Sequence, residues 1–358
     1  MKHFKAFLTT SILTLVLIAA VGCNNNSDSI NSNTNASISP SDHEISVLVP
    51  NSDKGWTGAV LKYAQTEAET ILGSYTAQVY AANSAQEMNQ QIDQLLDATD
   101  KPAGIVVLPF DETLEPAIQN VANSGIPLVM FDRIFDNQNI QAKVVTNVKG
   151  DNQGIGKAIA QRFVSKGLKP GDKIFVIIND ISSIGQMRND GFISELKASG
   201  WTDEQIATIE FSAPSNSNRT EAKQIFTDWI NPKTVEEIAD YHWLFAQDSQ
   251  IAMGILEALS SSEIEPAKKE VFLSALTSFG SISGLDEVYQ VLKGEHSNTE
   301  FAELVKNFDF FDVTYDPAMI KIAIQDMLKF LNGESVPKDH IIPASIVDAT
   351  NVNQFQGY

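Results

Sequence analysis

The chain has 358 residues, 43% of them hydrophobic, a single cysteine and a formal net charge of −20. The acidic surplus is spread along the chain, which argues against a nucleic-acid partner because binding a polyanion needs concentrated Lys and Arg; one cysteine excludes an intrachain disulfide. A chain of this length exceeds the size at which one core stops growing, so two domains are expected.

The first segment is a basic start (Lys2, Lys5), an apolar run from Phe7 to Val21 and a small-residue exit at Ala20, Val21 and Gly22, directly before Cys23. This resembles a bacterial lipoprotein signal over residues 1–22, and the resemblance implies that Cys23 carries a diacylglyceryl anchor. An ordinary secretory signal or an uncleaved anchor helix is the alternative. Residues 23–43 are rich in Asn and Ser and predict a disordered tether, which would hold the folded part beside a membrane without spanning it.

From residue 44 onward, apolar runs of strand length alternate with helical patterns. Strands are predicted at 44–50, 77–82, 104–110, 126–132 and 143–148, with helices at 56–72, 84–98 and 114–125. Ser84 and Glu87 are spaced as a capping box. A second series has helices at 151–167, 186–200, 220–230 and 249–261, and strands at 173–178, 206–213, 242–247 and 271–276. Uniformly apolar strands, each followed by a helix, predict parallel sheets covered on both faces, and thus two doubly wound α/β units in tandem. In such sheets ligands sit outside the carboxyl ends of the strands, so the site should lie where those ends face each other.

The strand ends run into NSDKGWTG, FDR, NDISSIGQMRNDGF and QDSQIAMG. Together with GIPLVMFDR, LFAQDSQIAMGILEAL and the closing LNGESVPKDHIIPASIVDATNVNQF, they resemble the bacterial sugar-binding proteins of ABC importers, the group of the ribose, galactose and arabinose binders, over residues 44–356. The resemblance implies a type 1 periplasmic binding protein fold, with an N-terminal lobe of 44–147 and 315–341 and a C-terminal lobe of 150–312 and 346–358. Three hinge crossings would lie near 147–150, 312–316 and 341–346. It also implies a monomer that closes on a monosaccharide and presents it to a transporter permease, in an extracytoplasmic location, with no cofactor. A sensor that presents sugar or a related signal to a membrane receptor is the alternative.

The implied site residues follow from matching positions. Trp56 falls where the family places an aromatic that stacks on a sugar ring, Asp132 and Arg133 match a pair that grips ring hydroxyls, Arg188 matches an Arg reaching from the second lobe, and Asp248 stands where Asn is usual. Lys54 replaces part of an Asn-Pro-aromatic cluster, Thr277 or Ser278 replaces an Asp or Asn after the strand 271–276, and Tyr315 replaces a Gln. The residue types suit the task, since carboxylates accept from hydroxyls, guanidinium groups donate in a fixed fork and an indole covers C–H bonds. Each has a structural alternative: Trp56 a core residue, the Asp132–Arg133 pair a surface turn, Arg188 a solvated helix residue and Asp248 a charge favoured by a helix dipole.

Enzymatic readings find little footing. GDNQGIGKA is followed by Ile159 where a dinucleotide fingerprint needs its third glycine, and has Asp151 where a phosphate loop needs its first. His3, His43, His242, His296 and His340 show no metal-ligand pairing, and no nucleophile elbow is present. An export signal stands where a repressor of the same lobe fold would carry a helix-turn-helix.

Overall fold

The computed structural model describes residues 38–358, so the signal segment, Cys23 and the tether up to residue 37 lie outside the described residues. Ile38 already docks on the first lobe: it packs beside the core, and its N–H donates to Gln94 Oε1 at 2.9 Å. The folded part therefore starts several residues before the expected end of the tether.

The first series comprises β1 (Glu44–Pro50), α1 (Gly55–Ala68), β2 (Thr76–Ala82), α2 (Ala85–Asp97), β3 (Gly104–Val107), α3 (Glu115–Ser124), β4 (Leu128–Phe131), α4 (Gln138–Gln141) and β5 (Thr146–Gly150). The second runs α5 (Asn152–Ser165), β6 (Lys173–Ile177), α6 (Ser183–Ala198), α7 (Asp203–Ile206), β7 (Glu210–Phe211), α8 (Arg219–Ile230), α9 (Val235–Ala239), β8 (Tyr241–Ala246), α10 (Ser249–Ser260), α11 (Pro266–Ala275), β9 (Ser278–Ser283), α12 (Asp286–Lys293), α13 (Thr299–Val305) and β10 (Asp309–Thr314). The chain then returns through α14 (Met319–Leu331) and β11 (Asp339–Ile342) to the first sheet, and ends its strands with β12 (Ile346–Asp348) in the second.

Two six-stranded sheets result, in the orders β11-β5-β4-β3-β1-β2 and β12-β10-β9-β8-β6-β7. All pairings are parallel except that of β10 with β12. Parallel strands need both faces covered, and β1 shows how its sequence achieves this. Ile45, Val47 and Val49 point to one face, against Val60 and Ala64 of α1 and Ile320, Ala323 and Ile324 of α14. Leu48 points to the other, against Met88 and Ile92 of α2 and Ile118 of α3. Each such fully buried aliphatic side chain contributes about 1.5–3 kcal/mol relative to exposure.

Some expectations are corrected. VFLSAL (271–276) is not a strand: Pro266 at the first helical turn starts α11, which takes in residues 271–275 and is capped at its C-terminus by Leu276. The strand of that region is SFGSIS, whose Ser278 and Ser281 are buried because their hydroxyls bond Asp309 and Asp312 of the neighbouring β10. Most of 206–213 is irregular, with only β7 in the sheet. Ser84 caps α2 by accepting from the Glu87 N–H, but the Glu87 carboxylate reaches back to the Asn83 N–H at 2.8 Å instead of closing a capping box.

The chain passes between the sheets three times: from β5 into α5, from β10 into α14, and from β11 into β12. The carboxyl ends of β1, β4, β6, β8 and β9 carry the residues that meet in the cleft between the sheets.

Candidate functional site

At the first lobe, β1 delivers the chain to the start of α1, where Gly55 has φ 66° and Gly58 lies so close to the preceding turn that a Cβ there would approach Asp53 C to 3.0 Å. This tight entry projects Trp56 from the first turn. Its indole stacks on Phe131 (centroids 6.1 Å apart, planes at 9°) and on Tyr315 (5.3 Å, 28°), and its Nε1 donates to the Tyr315 carbonyl at 2.8 Å. One edge is thus fixed while part of the ring surface still lines the cavity.

Asp132 follows β4 with φ 63°, its N–H donating to Val148 O at 2.8 Å. Its buried carboxylate accepts from the Tyr315 hydroxyl, which in turn accepts from Asn152 Nδ2 at 3.1 Å. Burial pushes the Asp132 carboxyl above the usual range, against the opposing influence of Tyr315, Arg133 and Arg188. Burial and Asp132 together hold the Tyr315 hydroxyl protonated, as a donor. Arg133 spends Nη1 on Glu112 at 2.8 Å, and its buried Nε has no hydrogen-bond partner among the described residues.

From the second lobe comes Arg188, on the second turn of α6 and 5% exposed. Its Nε donates to Asn152 Oδ1 at 3.0 Å, its Nη1 to Gln247 O at 3.1 Å, and its guanidinium lies 4.8 Å from the Tyr315 ring centroid. Asp248 caps α10 by accepting from the Gln250 N–H at 2.7 Å. Burial pushes its carboxyl up to about 6, against the pull of that N–H, Arg188 and Ser217, with Asp180 adding to the rise.

These groups border one cavity of about 390 Å³, within the ~300–1,000 Å³ span of small-molecule sites. Six of the eight expected residues meet at or beside it: Trp56, Asp132, Arg133, Arg188, Asp248 and Tyr315. Lys54 does not; it is exposed at the N-cap of α1, where its carbonyl accepts from Ser52 Oγ. Thr277 does not either. It precedes β9, with its N–H on His242 O at 2.8 Å, at the strand end away from the cleft. The error follows from reading the end of α11 as the strand; the residue that β9 presents to the cavity is Ser283.

Lining residues not singled out include Asn179, Asp180, Ser182, Ser217 and Ser283 on the second lobe and Asn51, Ser52, Thr57 and Phe110 on the first. Backbone strain marks two of them, since the described non-glycine residues at positive φ are Asp132, Asn216, Ser217 and Ser283, and all but Asn216 line this cavity. Asn179 Oδ1 holds the Ser217 turn, accepting from its N–H at 2.6 Å and its hydroxyl at 2.8 Å. Strand-end logic covers NDISS, but Ser217 lies six residues beyond β7 and gave no sequence signal. Among the described residues no cluster of His, Cys, Asp and Glu is arranged to hold a metal ion.

The model of a periplasmic binding protein domain matches residues 45–294. A fructose import binding protein from Bifidobacterium longum is 21% identical over 272 residues, covering 75% of this chain and 70% of that protein. Among solved structures, a galactofuranose binding protein superimposes with a TM-score of 0.66 at 17% identity, covering 87% of this chain and 96% of the other. An ABC transporter solute binding protein from Agrobacterium vitis with bound D-fucose gives 0.64 at 19% identity, covering 87% and 97%. The two parallel-sheet lobes match the fold of these structures, and with the family match over most of its length the chain belongs to the periplasmic binding proteins, in their type 1 fold.

Proposed function

We propose that this protein captures a monosaccharide between its two lobes and delivers it to an ABC importer, acting as a monomer held outside the cell membrane by a lipid on Cys23. The observation that carries the reading is the pairing of aromatic and polar surface in the cavity walls. The first lobe offers aromatic surface, Trp56 and Phe110, beside the polar Asp132 and Arg133, and the second offers Asn179, Asp180, Arg188, Ser217, Asp248 and Ser283. An aromatic face against C–H groups and a polar wall against hydroxyls is what a sugar ring requires. The names of the fructose, galactofuranose and D-fucose binders agree with that chemistry. Micromolar affinity requires about 8 kcal/mol, within reach of a few charge-assisted bonds with stacking.

On this reading the sugar is bound and released unchanged. A thermal-shift screen with D-fructose, D-galactose, D-ribose, D-glucose, D-fucose and myo-inositol tests this. A ligand at 100 times its Kd stabilises by about 2.7 kcal/mol, so at least one should raise the melting temperature and be recovered intact; no shift with any of them would overturn the sugar reading. For the anchor, metabolic labelling with a tagged fatty acid should mark the wild-type protein and not Cys23→Ser, and labelling of the variant would contradict it.

A further inference from the structure

Ser283 has φ 125°, a backbone state that side-chain-bearing residues hold only where their surroundings over-determine it. The surroundings are supplied by residues 355–358, on the side of the loop away from the ligand cavity. The Tyr358 N–H donates to Gly284 O at 3.2 Å, the Asp286 N–H donates to Tyr358 O at 3.2 Å, and the Tyr358 hydroxyl bonds Ser283 Oγ at 2.9 Å. Gly357 permits the approach, since a Cβ there would come within 2.4 Å of Asp286 Cα. Ser283 is also tied forward, its carbonyl accepting from the Tyr315 N–H at 3.3 Å, and with Tyr315 it separates the ligand cavity from a second cavity of about 280 Å³ that Tyr358 lines.

Burial, with Asp248 nearby, keeps the Tyr358 hydroxyl protonated and able to donate. A serine oxygen that accepts from Tyr358 retains its own hydrogen, which is then free to be given into the ligand cavity. We propose that Tyr358 is a positioning residue for ligand binding: without touching the ligand, it fixes the Ser283 loop and aims the Ser283 hydroxyl as a donor to a sugar oxygen. This rests on the cleft being the sugar site.

Tyr358→Phe removes only the hydroxyl. Titrations with D-fructose, D-galactose and D-ribose should show the wild-type protein binding at least one, and the variant binding it about tenfold more weakly at nearly unchanged melting temperature. In a Ser283→Ala background the same change should cost no further affinity, which a merely structural tyrosine would not show. Amide exchange at Gly284–Asp286 in the unliganded variant should quicken. Wild-type affinity in Tyr358→Phe, or an equal loss with Ser283 absent, would overturn the proposal; failure of the wild-type protein to bind any of the sugars would instead overturn the reading of the cleft, and this proposal with it.

Discussion

Arg188 and Asp312 show how differently two buried charged groups serve the second lobe. Arg188 uses two of its nitrogens to join Asn152 of α5 to the end of β8, which leaves Nη2 as the donor for a ligand. One charge-assisted bond to a sugar is worth roughly 1.5–3 kcal/mol, so Arg188→Ala should lose about ten- to hundredfold in sugar affinity by calorimetry. Its lost bonds to Asn152 and Gln247 should also lower the melting temperature, and unchanged affinity would move the site elsewhere. Asp312 is fully buried in β10, accepting at Oδ1 from Ser249 Oγ at 3.1 Å and Ser281 Oγ at 2.5 Å while Oδ2 has no partner among the described residues. Burial pushes its carboxyl up to about 7, against the two serines and with Asp248 adding to the rise. The folded state therefore keeps a proton that the unfolded chain has released, so this stabilisation is full below the ordinary carboxyl value and is lost as pH rises through about 7. Asp312→Asn, which mimics the protonated form, should melt higher than the wild type at pH above that value and show a flatter dependence on pH below it. Parallel pH profiles for the two proteins would contradict the assignment.

At the level of elements, what could be read from the sequence was what hydrophobic pattern alone decides. Strands β1, β4, β6 and β8 are near-continuous apolar runs, and their ends brought Trp56, Asp132, Arg188 and Asp248 into view because parallel sheets bind ligands there. β9 escaped because SFGSIS carries serines whose burial is paid for by carboxylates on the next strand, a pairing that exists only after folding. Reading a strand in the helical VFLSAL then moved the candidate from Ser283 to Thr277. Nor does pattern reveal how α5 meets α6. A Cβ on Gly156 would lie 2.0 Å from Arg188 O, and one on Gly191 2.0 Å from Gln153 O, so these two glycines let the helices touch backbone to backbone. That contact brings Asn152 to the Arg188 guanidinium and, through Tyr315, links it to Asp132 of the other lobe.

For the whole molecule, the three connections between the sheets fall where ligand-facing residues are few, and Tyr315 stands within one of them. Gly150, in another, leaves room for its ring, since a Cβ there would sit 2.3 Å from Tyr315 Cε2. The hinge and the binding cavity thus share a side chain, which gives a bound sugar a means to favour one arrangement of the lobes: any ligand that bridges Trp56 and Asp132 to Arg188 and Asp248 binds the closed form better and shifts the population toward it. The decisive measurement is small-angle X-ray scattering of the protein with and without the sugar that raises its melting temperature most. Capture between the lobes predicts a smaller radius of gyration at saturation; an unchanged radius, with binding confirmed by calorimetry on the same sample, would contradict it.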